Sequence, residues 1–311
     1  MDVKQKYRKI ACITGASGMI GLYIARLALN AGYQVRVLSR KDSFPLKGAE
    51  LFSGSLDDEL LLKLMLEDAD MLFHCAAELY DESRMHEVNV VATERIAKLA
   101  IDQSVGCFVH ISSAGVIGIT CTSWVDETTA YHPKNAYEVS KWQAEQQLFQ
   151  LPKSNMRLCM LRPTNVIDDS RPGMLAMALR NGWKDKLLYF LKGGECAHLV
   201  HAEDVAAAAV YLAENRACEG LYFSGYDEDE GNTVGAVFEV VREYVTKEHW
   251  SGIYLPVVAP YLLRCLVRGK KSLYGRTRFS SRRLISSGYT FHIGLKKAIE
   301  RVCSYQMRKN Q

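Results

Sequence analysis

Apolar runs of five or six residues recur along the first two-thirds of the chain, separated by stretches whose apolar positions return every three or four residues. The runs KIACIT (9–14), QVRVLS (34–39), DMLFHC (70–75) and CFVHIS (107–112) lack the alternation of a half-exposed strand. They predict strands covered on both faces, as in a parallel sheet. Helical spacing marks 19–31, which stops at Gly32, then 57–67 and 85–103. A helix at 135–150 leads to another strand, MRLCMLR (156–162). Beyond residue 165 the rhythm loosens, and AHLVHAEDVAAAAVYLAE (197–214) predicts a strand followed by an Ala-rich helix. Strand and helix in alternation predict an α/β fold with a doubly wound parallel sheet over 1–165. A smaller α/β lobe is expected over 166–311, with segments near 197–225 returning to the first domain.

Composition narrows the class. The 311 residues are enough for such a sheet with its own core, and no repeat or low-complexity tract interrupts them. No apolar stretch approaches the roughly 18 residues of a membrane span, and the N-terminal run is too short for a signal peptide. Nine cysteines without CxxC spacing predict reduced thiols in a cytoplasmic protein, with neither disulfide nor metal site. Net charge is +4, but residues 251–311 hold 13 Lys and Arg against the single acid Glu300. That segment is therefore +12 and the remainder −8, which suits an anionic ligand or a solvated cationic face. Nothing points to nucleic acid.

The first chemical signal is CITGASGMIG (12–21), a strand ending at Thr14, then glycines at 15, 18 and 21, then a helix. This is the arrangement that cradles a dinucleotide pyrophosphate. Gly15 permits the tight turn, Gly18 the approach of phosphate to backbone, and Gly21 the close packing of helix on strand. Ser17, Met19 and Ile20 of the same turn are candidate cofactor contacts. The second strand ends in Ser39 and Arg40, where an acidic residue would favour NAD(H). A hydroxyl and a guanidinium suit a 2′-phosphate, so NADP(H) is expected, with NAD(H) as the alternative.

The second signal is AYEVSKWQAEQQL (136–148). Tyr137 and Lys141 stand four apart and share a helix face. An ammonium beside a phenol lowers its pKa from near 10 towards the range of proton-transfer catalysis. Ser113, in HISSAGVIG (110–118) at a central strand end, is placed to hydrogen-bond a substrate carbonyl.

With these motifs in hand, the chain resembles the extended short-chain dehydrogenase/reductases, also called the NAD-dependent epimerase/dehydratase family. The resemblance runs through TGASGMIG, LFHCAA, VNVVATERIAKLA, HISSAGVIG, YEVSK, LRPTNVI and LVHAEDVA, and fades after about residue 210. It implies a Rossmann fold that binds NADP(H), a substrate lobe, and a catalytic trio of Ser113, Tyr137 and Lys141. It also implies that Lys141 bonds the nicotinamide ribose and that Ala76, Ala77 and Pro163 line the cofactor. Asn165 would touch substrate, and Asn89 would be a structural helix asparagine.

The chain departs from the family pattern in places. GSLDD puts Ser55 where an adenine-binding Asp usually stands, leaving Ser55 and the Leu56 backbone as adenine contacts, with Asp57 a weaker substitute. Ala114 and Gly115 replace the Asp-Glu pair of dehydratases, which disfavours elimination. Reduction of a keto group on a nucleotide sugar is the leading expectation, with Arg276, Arg278 and Arg282 against the diphosphate. Nucleotide-sugar epimerisation is one alternative. Another is reduction of an apolar carbonyl compound, as in dihydroflavonol reductases and hydroxysteroid dehydrogenases. A non-catalytic NADP(H) sensor is the least favoured reading, because the Tyr/Lys pair is intact.

The basic apolar stretch 253–271 resembles a C-terminal helix of that apolar-substrate branch; packing on its own lobe is preferred over contact with a membrane surface. His74 and His110 are expected to be packed core residues, His132 a loop residue and His201 a support at the lobe junction. The helices at 85–103 and 135–150 are expected to form a homodimer interface, with Val139, Trp142 and Leu148 serving either that or the core.

Overall fold

Residues 8–152, 155–247, 249, 252–256 and 275–309 are described by a computed structural model. The described parts of Met1–Ser113, Asn135–Leu161 and Ala206–Leu221 form one compact unit, and those of Ala114–Lys134, Arg162–Val205 and Tyr222–Gln311 a second. Most of the 253–271 stretch lies outside the described residues.

The strands are β1 (Ile10–Thr14), β2 (Gln34–Ser39), β3 (Ala49–Ser53), β4 (Met71–His74), β5 (Cys107–Ile111), β6 (Trp124–Val125), β7 (Arg157–Pro163), β8 (Asn165–Ile167), β9 (Leu199–His201), β10 (Gly220–Ser224) and β11 (Arg278–Phe279). Seven of them make one sheet in the order β10-β7-β5-β4-β1-β2-β3. β1 pairs in parallel with β2 on one side and β4 on the other, so the chain reverses its direction of travel across the sheet at β1. Ligands of wound sheets sit at this switch point, outside the strands' carboxyl ends. Every residue of β1, β4 and β5 is buried, the burial that the unbroken apolar runs predict. Phe73 and Phe108 are fully buried there, each contributing on the order of 2 kcal/mol of transfer free energy.

In the first unit the sheet is flanked by α1 (Met19–Asn30), α2 (Glu59–Leu66), α3 (Glu82–His86), α4 (Ala92–Asp102) and α5 (Ala136–Phe149). The single helix expected at 85–103 starts earlier, at Glu82, and contains a π-helical turn, Glu87–Val91, between α3 and α4. Asn89 sits in that turn, where the widened backbone brings its side chain against neighbouring segments. Leu148 of α5 packs in the core beneath the sheet with Leu66, Leu72 and Phe108.

The second unit contains the short ladders β8·β9 and β6·β11. Its Asp204, at the start of the helix Ala202–Glu214, is buried. Its carboxylate accepts from the backbone amides of His292 (3.0 Å), Ile293 (3.1 Å) and Gly294 (3.1 Å), the entry to the last helix, Gly294–Lys309. Tyr226 donates its hydroxyl to the same group at 2.5 Å. A buried carboxylate with these donors satisfies the orphan amides of a helix start. Among the described residues, no helix is long and apolar enough to cross a membrane.

Candidate active site

The glycine turn is built as its spacing predicts. Gly15 has φ +66°, and a Cβ there would lie 2.5 Å from the Ala76 amide nitrogen. A Cβ on Gly21 would come within 2.4 Å of the Gly15 carbonyl. Gly18 begins α1 with no side-chain cap, and no acid stands in the helix's first turn. Ser17 and Gly18 are exposed, while Met19 and Ile20 are half-buried. The uncapped amides thus face a cradle that no side chain fills, which fits an anionic phosphate. Ala76 and Ala77, half-buried after β4, complete this side of the first unit.

At the end of β2, Ser39 is buried and its Oγ accepts from the Lys41 amide at 3.1 Å. Arg40 is exposed, and no carboxylate pairs with it among the described residues. Ser55 Oγ bonds locally to Asp57, and the Leu56 carbonyl accepts from Arg95 at 3.3 Å. Ser55 is thus engaged within its own loop and the Leu56 carbonyl with α4, although both residues remain partly exposed.

Tyr137 enters the first turn of α5 because Asn135 caps that helix, accepting from the Glu138 amide at 2.8 Å. Burial pushes the Tyr137 phenol up to about 12, and a hydrogen bond from Ser113 partly offsets this. One turn on, Lys141 is 1% exposed. Its Nζ donates to the Ile111 carbonyl at 2.6 Å and lies 3.2 Å from His110 Nε2. Burial lowers Lys141 to about 8, with Glu145 and Cys75 opposing the fall. The expected depression of the phenol by the ammonium is not found, because the ammonium is turned towards β5 and desolvation dominates.

Beside Tyr137 lies a cleft of about 330 Å³ lined by Leu79, Tyr80, Glu82, Met85, Asn135 and Tyr137. The loop along it is pinned twice. Asn89 accepts from the Glu78 amide (2.7 Å) and donates to the Glu78 carbonyl (2.9 Å), while the Glu78 carboxylate accepts from the amides of 79, 80 and 81. Those amides, that of Tyr80 first, hold the Glu78 carboxyl below its ordinary range.

His74 and His110 are both fully buried, as expected of core residues, but they also make polar contacts. They are register partners across β4 and β5, stacked at 5.5 Å between ring centroids. Their polar roles escaped the sequence reading, although two histidines at equivalent positions near central strand ends were a usable signal.

In the second unit, Pro163 ends β7 and is buried. Asn165 Nδ2 donates to the Ala197 carbonyl at 2.8 Å. Arg278 donates to the Asp227 carbonyl (2.8 Å), and Arg282 is paired with Glu228 at 3.3 Å; both guanidinium groups lie over the Trp124 ring. Arg276 is exposed. His132 is exposed, and its carbonyl accepts from the Ile119 amide at 3.2 Å. His201 is buried 3.4 Å from the Asp169 carboxylate.

A wound parallel sheet with a glycine turn at its switch point defines a Rossmann-type fold of the dinucleotide-binding class. The family model of the NAD dependent epimerase/dehydratase family matches residues 11–221, and the chain belongs to that family. Among curated proteins it is 26% identical over 285 residues to cinnamoyl-CoA reductase 1 of Petunia hybrida, covering 81% of this chain and 84% of that protein. Over 214 residues it is 32% identical to sterol-4-alpha-carboxylate 3-dehydrogenase, decarboxylating, of Dictyostelium discoideum (62% of this chain, 64% of that one). Over 176 residues it is 31% identical to UDP-glucose 4-epimerase of Vibrio cholerae (52% and 53%). Among solved structures, the Bordetella bronchiseptica enzyme WbmH in complex with NAD+ superposes with a TM-score of 0.76 at 20% identity, covering 97% of this chain and 99% of that one. That likeness establishes the fold.

Proposed function

We propose that the protein is an NADP(H)-dependent reductase of a carbonyl compound, with Ser113, Tyr137 and Lys141 as its reactive residues. The observation that carries this reading is the hydrogen bond from Ser113 to the Tyr137 phenol beside the cleft, with Lys141 buried one turn away. A bound nicotinamide supplies the hydride acceptor or donor. Gly15, Ser17, Gly18, Met19, Ile20 and Gly21 would hold its pyrophosphate, and Ser39 and Arg40 a 2′-phosphate; Ala76, Ala77 and Pro163 would line it.

The phenol is protonated at rest, which suits it to the reductive direction of a reversible reaction. With a pKa of about 12, its deprotonated fraction near neutral pH is on the order of one in ten thousand or less. The resting group is thus an acid, fit to give its proton to a carbonyl oxygen as that oxygen gains negative charge. Ser113 would turn its hydroxyl from the phenol to the same oxygen and orient it. Lys141, its ammonium turned towards β5, would bond the nicotinamide ribose.

An apolar carbonyl compound is the substrate class supported best. Leu79, Tyr80 and Met85 line the cleft beside Glu82 and Asn135, and Arg278 and Arg282 are engaged with partners of their own. The relative named for a sterol substrate agrees with it. A nucleotide sugar, reduced or epimerised, is the second reading; the exposed Arg276 and the epimerase relative favour it.

The test measures thermal stabilisation by NADPH and NADH, then NADPH oxidation with planar apolar carbonyl compounds and with UDP-4-keto-sugars, and the epimerisation of UDP-sugars by product analysis. Tyr137→Phe should lose turnover by about 10²–10⁴-fold while binding NADPH as tightly as before. Full activity in that variant rules the mechanism out, and turnover of UDP-sugars alone selects the second reading.

A further inference from the structure

Beneath Lys141 the first unit buries a line of polar groups that the reaction scheme leaves unused. Thr93 Oγ1 donates to the Asn89 carbonyl at 2.7 Å, so towards His74 Nε2, 2.9 Å away, it can only accept. His74 therefore carries its proton on Nε2, and its Nδ1 accepts from the Thr14 hydroxyl at 2.7 Å. Thr14 is the last residue of β1, immediately before Gly15. Both nitrogens of His74 are thus fixed, with the ring 5.5 Å from that of His110 at an interplanar angle of 23°.

An ammonium has three donors and no acceptor. His110 Nε2, 3.2 Å from Lys141 Nζ, must accept, which places the His110 proton on Nδ1. That Nδ1 is buried and has no hydrogen-bond partner among the described residues. An unpaired buried donor costs on the order of 1–3 kcal/mol, so this orientation is kept at the expense of stability. Two of the ammonium's three N–H groups then point at β5, one to His110 and one to the Ile111 carbonyl.

We propose that His110 is the positioning residue of Lys141: a neutral imidazole, held by the tautomer-locked His74, that accepts from Nζ and keeps the side chain charged and aimed. The inference rests on the reading of Lys141 as a reactive residue. The other ionisable groups facing Nζ are Cys75 after β4, His74 on β4 and Glu145 on α5. Glu145 and the acceptor on His110 favour the ammonium; burial opposes it. Burial, with Lys141 and His74 nearby, holds His110 well below the ordinary histidine range, so its ring stays neutral as the arrangement demands.

The experiment is 15N NMR of the full chain, labelled at histidine and lysine and free of nucleotide. In the wild type, His110 should show the Nδ1–H form and His74 the Nε2–H form, without titration between roughly pH 6 and pH 9. Removing the acceptor in His110→Leu should lower the Lys141 Nζ midpoint by about one pH unit, because the charged form loses a partner. His110→Gln, whose amide oxygen accepts in the same place, should restore most of that shift. A His110 ring that titrates, an Nε2–H form of His110, or an unmoved Lys141 midpoint in the Leu variant would each overturn the proposal. Should the Leu variant fail to fold, the wild-type tautomers and the Gln variant decide it. Should the NMR results hold while no carbonyl compound oxidises NADPH, the proposed function fails and this inference stands.

Discussion

The side chains of Asn89 and Ser140 meet at 2.9 Å, joining the π-helical turn before α4 to the residue just ahead of Lys141. Ser140 in turn donates to the Tyr137 carbonyl at 2.8 Å, so one buried amide connects the cleft loop and the helix that bears the phenol. Asn89→Ala should cost about 2 kcal/mol, since it leaves the Glu78 amide without its acceptor. Ser140→Ala should cost less, about 1 kcal/mol. Denaturant unfolding of the two variants checks the order, and an equal cost would contradict it.

Gly15→Val should abolish nucleotide binding. The residue has positive φ, and its Cβ would strike the backbone at Ala76, which cannot yield as a flexible side chain can. Fluorescence titration with NADPH reads the loss. Retained binding would mean that the turn is not the pyrophosphate cradle.

Arg40→Asp should move preference from NADPH towards NADH by about 10–100-fold, because a carboxylate repels a 2′-phosphate and accepts from a free ribose hydroxyl. Arg40 is exposed with no ion partner among the described residues, so the change should leave stability nearly untouched. Comparison of Kd values for the two nucleotides is the measurement. An unchanged ratio would remove Arg40 from the cofactor site.

The pH dependence of reduction should be set by Lys141. Its pKa is lowered to about 8, so the ammonium is complete below that pH and lost above it. The rate should be level near neutral pH and fall towards tenfold per unit above about pH 8. The phenol, near 12, stays protonated throughout and adds no limb of its own. A rate that climbs from pH 8 to pH 10 would show that the charge on Lys141 is not required.

Much of the fold was legible because buried parallel strands announce themselves. QVRVLS was expected over 34–39 and is found there, and CFVHIS loses only its last residue. The Gly15 turn was equally plain, since its spacing has few other physical uses. What local pattern could not carry is long-range pairing. The π-helical turn at Asn89 exists because that side chain reaches residues 78 and 140, contacts invisible to a 3.6-residue periodicity. The direction of the Tyr137 shift was misjudged for a similar reason: spacing put Lys141 on the same face, but its ammonium is drawn to the Ile111 carbonyl. Arg278 and Arg282 looked like free cations until the Asp227 carbonyl and Glu228 proved to hold them.

Asp204 and the amides it receives at 292–294 lie some 90 residues apart in the chain. During synthesis, the carboxylate leaves the ribosome long before its donors do. Until they arrive, that carboxylate has Tyr226 but none of its three backbone donors, so the second unit cannot complete its folding on an incomplete nascent chain.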